Sequence, residues 1–144
     1  MRECAFLPLT RDAARVCQDA AQGEARGRAT VVRHRAEEVE AAAALCWTAL
    51  LAGCEAGGRW ELGPRLRRLS EATSQYAGTR WWFREGAVHR RRVASAQSRI
   101  EDAIADGDGQ EFAAAFVGYD HAMASAVVCA QSVTPGVRPP TSVE

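Results

Sequence analysis

Lysine and asparagine are absent from this 144-residue chain, and isoleucine occurs only twice. Without Lys, all 18 cations are Arg, set against 18 acids, and 29 Ala accompany them. This bias reads as the imprint of a GC-rich bacterial coding genome, so part of the Arg and Ala usage carries no functional message. Scarce Ile and the lack of sustained polar–apolar alternation argue against a β-rich fold. Net charge is also missing: the formal sum is zero and the sequence pI is 6.8, which argues against a generic polyanion-coating protein. The cysteines (Cys4, Cys17, Cys46, Cys54, Cys129) are odd in number and scattered, with no C-x-x-C. That pattern offers neither a zinc site nor a disulfide framework, and predicts reduced, mostly buried thiols. No basic, apolar leader pattern opens the chain, and the most apolar stretch, 41–54, is too short to span a bilayer. The expected location is the cytoplasm, with no membrane partner.

What is present reads as helix. Apolar residues make up 47% and charged residues 25% of the chain, ordinary values for a globular protein. The length suits one domain, expected over 1–132, with a flexible Ser/Thr/Pro-rich tail at 133–144. A first helix is expected over 11–22 with Thr10 as N-cap, followed by a linker or frayed segment around Gly23 and Gly27. The clearest helix covers 30–55, where Val32, Ala36, Val39, Ala43, Cys46, Leu50 and Gly53 recur at spacings of four and three. A third opens at Gly63-Pro64 and carries Leu62, Leu66, Leu69, Thr73 and Tyr76 before Gly78 stops it. The fourth is read as continuous from 79 to 105, with Thr79 as N-cap and a core line of Trp82, Gly86, His89, Val93, Ala96, Ile100 and Ala103. Asp106-Gly107-Asp108-Gly109 then closes one helix and caps the next, with Asp108 and Glu111 forming a capping box. The fifth helix presents Phe112, Phe116, Tyr119, Met123, Ala126 and Ala130. Helices of these lengths joined by short turns predict an all-α fold: an antiparallel four-helix bundle with an additional N-terminal helix.

Zero net charge conceals segregation. Residues 59–99 hold 10 Arg and 3 acids, whereas 100–144 hold 1 Arg and 7 acids. Arg80, Arg84 and Arg91 share a stripe of the expected fourth helix, with Arg92, Arg99 and Trp81 beside it. Arg and Trp dominate binding hot spots, and the same pair suits phosphate contact with base stacking. The alternative place for Trp81 is a second small core.

Sites for chemistry are sparse. His89 falls on a predicted core line, so a pocket around Cys46, His89 and Tyr119 is the one candidate ligand site. No Ser-based or Cys-based catalytic pattern and no Gly-rich phosphate loop occurs, and Asp106-Gly107-Asp108-Gly109 lacks the later ligands of a calcium loop. No H-x-x-x-H or E-x-x-H spacing supports a metal, and no cofactor is expected.

The stretch from Ala103-Ile104-Ala105-Asp106-Gly107-Asp108 through Asp120-His121-Ala122-Met123-Ala124 resembles a helix pair in the ligand-binding domains of GntR-type, FadR-like regulators. There a Gly-Asp turn opens an amphipathic helix bearing a metal-binding His. The resemblance implies His121 as a metal-ligand candidate, although Val117 stands where the family has an Asp.

The function expected is a small, non-enzymatic interaction or regulatory protein docking a protein partner, a second copy of itself included, through Arg80, Trp81, Arg84, Arg91, Arg92 and Arg99. The alternatives are a nucleic-acid binder using the same face, and a small-molecule- or metal-binding helical bundle or bundle enzyme.

Overall fold

In a computed structural model of the chain, residues 5–54 and 61–131 are described. They form six helices and no strand: α1 (Pro8–Ala20), α2 (Gly23–Leu51), α3 (Leu62–Ala77), α4 (Thr79–Phe83), α5 (Ala87–Asp106) and α6 (Gly109–Gln131). The closest neighbours are α5 with α6, and α2 with both α1 and α3, while α1 also lies against α6. The tail expected at 133–144 and Cys4 fall outside the described residues.

The apolar spacings become the core. Val32, Val39 and Cys46 of α2, Leu66 and Leu69 of α3, Ile100 of α5, and Phe112, Phe116, Tyr119 and Met123 of α6 are all buried in one cluster. Phe6, ahead of α1, meets Trp47, Phe112 and Phe116 edge-on, with ring centroids 5.7, 5.8 and 5.2 Å away. Trp47 donates its indole N–H to the Gly109 carbonyl at 3.1 Å, tying α2 to the start of α6. Fully burying a side chain of this size contributes about 1.5–3 kcal/mol.

Helix α1 departs from its expected start. Thr10 lies inside it, and the N-cap residue, Leu7, has no side-chain oxygen to offer. Two distant carboxylates serve instead. Glu40 of α2 accepts the N–H groups of Phe6 and Leu7 at 2.8–2.9 Å. Asp120 of α6, 3% exposed, accepts the N–H groups of Leu9 and Thr10 at 3.0 and 2.8 Å, and the Thr10 hydroxyl at 2.7 Å. The donors orphaned at a helix start are thereby satisfied, with negative charge at the positive end of the dipole.

The linker expected near Gly23 and Gly27 is also helix. Ala25, Ala29 and Val32 are buried on one side, and this packing outweighs the roughly 1 kcal/mol that Gly27 costs in a helix interior. At the other end α2 stops at Leu51 rather than 55, with Gly53 at φ +78°. Pro64 is the third residue of α3, still within the first turn.

The fourth helix is two. α4 ends at Phe83, and three backbone bonds close the corner: Arg84 and Gly86 donate to the Trp81 carbonyl at 3.1 and 2.7 Å, and Ala87 donates to the Arg84 carbonyl at 3.1 Å. Gly86 permits this elbow because the Trp81 ring occupies the place of a Cβ. A methyl there would meet ring carbons at 2.5–2.8 Å.

The turn between α5 and α6 forms as expected, with Gly107 at φ +68° and Asp108 Oδ1 accepting the Glu111 N–H at 3.0 Å. Glu111 does not complete the box, because its carboxylate pairs with Arg99 at 2.7 Å. Replacing Asp108 by Ala is expected to lower stability by about 1 kcal/mol, read from a thermal melt.

Helix α6 is long and apolar enough to cross a membrane by length and composition, with a mean hydropathy of 1.3, yet half of that segment is buried against the other helices. Of the described thiols, Cys17 and Cys46 are buried and Cys54 and Cys129 exposed, so burial is less general than expected. Burial raises the Cys17 and Cys46 pKa values, partly offset at Cys17 by a hydrogen bond with Tyr76.

Candidate functional site

Three consecutive aromatics, Trp81-Trp82-Phe83, begin the elbow. Successive helical residues point about 100° apart, so the three cannot share a face. Trp82 is buried, and Trp81 is half-buried, folded onto Gly86 and stacked on His89 with centroids 6.2 Å apart. Phe83 is left 56% exposed. Its ring carries the Arg90 guanidinium at 4.8 Å, a cation–π contact. Val88, the second residue of α5, is also exposed.

The same α4–α5 segment carries Arg80, Arg84, Arg91 and Arg92, all exposed and none in an ion pair among the described residues. Glu85 is the only acid between residues 72 and 100. The first turn of α5 holds no acid, and its N-cap, Gly86, offers no side chain, so the positive end of that helix dipole adds to the field. The sum is a positive, partly apolar corner.

The structure rearranges the expected face in three ways. The single stripe through Arg80, Arg84 and Arg91 is interrupted, because the helix breaks between Phe83 and Ala87. Trp81 becomes an internal brace of the elbow rather than an exposed anchor. Arg99, two turns beyond Arg92, is neutralised by Glu111. Phe83 was the residue the sequence reading passed over. The signal was present: Gly86 three positions on marks where a helix can turn, and the turn decides which aromatic is left outside.

The candidate pocket residues do not gather around a cavity. Cys46 and Tyr119 sit within the core, where Tyr119 donates to the Leu66 carbonyl at 3.4 Å and its phenol pKa is pushed well above the usual range by burial. His89 lies outside that cluster, and among the described residues its buried Nδ1 has no hydrogen-bond partner, nor has Arg90 Nε. One turn before buried Val93, His89 is only half-buried and lies against the Trp81 ring, so the core line thins at this end of α5. His121 is exposed and lines two open grooves. One, of about 370 Å³, lies between α5 and α6; the other, of about 550 Å³, lies between α1 and α6 beside Leu9, Val16 and Val128. Among the described residues no group of three His, Cys, Asp or Glu could hold a metal ion. Asp120, next to His121, is committed to capping α1, and Glu38 pairs with Arg35 at 3.2 Å.

Comparison with protein-family models, with curated proteins and with solved structures gives no match for this chain.

Proposed function

We propose that this is a non-enzymatic interaction protein of the cytoplasm that docks an acidic protein partner on the α4–α5 elbow. In this reading α2, α3, α5 and α6 make an antiparallel four-helix bundle, α1 is added beside it, and the elbow is the recognition corner. The observation that carries it is exposed Phe83 beneath Arg90, on a segment whose exposed Arg80, Arg84, Arg91 and Arg92 outnumber its one acid, Glu85, and enter no ion pair among the described residues. An aromatic anchor with Arg neighbours is the composition of an interface hot spot, and the surrounding charge speeds encounter with an acidic surface.

The test is recovery of partners from the native host with wild type, Phe83→Ala and the Arg84/Arg91/Arg92→Ala triple variant. Partners held by wild type are expected to be lost from both variants, with affinity reduced about tenfold or more for Phe83→Ala. Identical recovery by all three proteins rejects the reading. Binding to oligonucleotides with a log–log salt slope of roughly −0.9 per phosphate contacted would assign the same corner to nucleic acid.

A further inference from the structure

Helix α5 buries Val93, Ala96, Ile100 and Ala103. Directly opposite runs a second line at alternating spacings of three and four: Val88, Arg91, Ser95, Ser98, Asp102 and Ala105. All six are exposed. Such spacing puts the six on one face of α5, and no other helix among the described residues covers it.

The line is also complementary to its own reverse about the point between Ala96 and Gln97, with opposite charges, like hydroxyls and two small apolar residues at matching positions. Arg91 and Asp102 are equidistant from that point, as are Ser95 and Ser98, and Val88 and Ala105. Neither Arg91 nor Asp102 has an ion-pair partner among the described residues. We infer that this face pairs with the same face of a second copy of the chain, antiparallel, about a two-fold axis through the middle of α5. Arg91 then meets Asp102 of the partner subunit, and symmetry makes the contact twice. The parallel arrangement sets Arg91 against its own equivalent, so charge selects the antiparallel one.

Size agrees with charge. Ser95 and Ser98 at the centre let the two helix axes approach to about 8 Å, the close end of helix packing. Beside Ser95 opens the groove between α5 and α6, lined by the small residues Ala96, Gly118 and Ala122, which gives the partner's side chains room on that flank. Arg99, on the same flank, is already neutralised by Glu111. The pairing goes beyond the docking role proposed above: it shares Arg91 with that corner, uses α5 from Val88 onward and leaves Arg80, Phe83 and Arg84 outside the seam.

Sedimentation equilibrium of the full chain from about 1 to 100 μM tests it, a range that brackets the affinity of modest dimers. Wild type is expected to dimerise. Arg91→Asp or Asp102→Arg alone sets like charges together twice and is expected to weaken the dimer about tenfold or more. The double variant Arg91→Asp/Asp102→Arg restores opposite charges and is expected to recover wild-type affinity to within about threefold. Both sites are exposed, so unchanged circular dichroism certifies the fold. Phe83→Ala is expected to leave dimerisation untouched, which separates this pairing from elbow docking. A wild type that stays monomeric across the range, or a dimer indifferent to either single reversal, overturns the inference.

Discussion

Replacing Asp120 by Ala is expected to lower the unfolding free energy by about 3–4 kcal/mol, because one buried carboxylate satisfies three donors at once. The N–H groups of Leu9 and Thr10 and the Thr10 hydroxyl all converge on it, and both Thr10 and Asp120 are buried. Alanine leaves those donors inside the protein without acceptors and removes the negative charge from the positive end of α1. Asp120→Asn retains one acceptor oxygen but turns a donor toward the others, so about half of the loss is expected. Glu40→Ala is the comparison. It holds two amides in the same way, but in a part-buried setting, and the loss should be smaller. Urea titration reads all three. A cost for Asp120→Ala below about 1 kcal/mol would mean that α1 is held by its apolar face alone.

The second large effect is at Gly86. Its φ of −84° is ordinary for any residue, so Gly86→Ala carries no backbone strain. The cost is steric. The new methyl would sit 2.5 Å from Trp81 Cζ3, and an indole ring cannot flex aside as the end of a Leu can. Trp81 must leave Gly86, and its stacking on His89 goes with it. The expected loss is about 2–3 kcal/mol, together with a red shift of tryptophan emission as the ring enters water. A variant with unchanged melting temperature and emission would show that the elbow does not depend on this contact.

The helical face patterns were legible because periodicity reports which residues a helix buries. The lines through Val32 and Cys46, Leu66 and Tyr76, and Phe112 and Met123 all appear in the core. The turn at 106–109 was legible for a different reason, since Gly107 and Asp108 state backbone requirements locally. What escaped was decided by distant residues. Thr10 reads as an N-cap until Asp120, 110 residues away, claims its amide and hydroxyl. Gly27 reads as a helix breaker until buried neighbours override it. The elbow lay between these cases: Gly86 was visible, but only the fit of the Trp81 ring against it decides that the helix bends. That bend exchanges Trp81 for Phe83 as the exposed aromatic, so a single turn moved the centre of the candidate site.

The two carboxylates that hold α1 also impose an order of assembly. Glu40 is 33 and 34 residues from the amides it accepts, and Asp120 is 110 and 111 from its own. A ribosome releases α1 before α6, so the group that completes its amino end arrives only after 110 further residues have been made. Bridging such a separation costs loop entropy that local helix contacts do not. Of the described helices α1 is made before the others and secured after them, and a chain cut short before Asp120 leaves it without its latch.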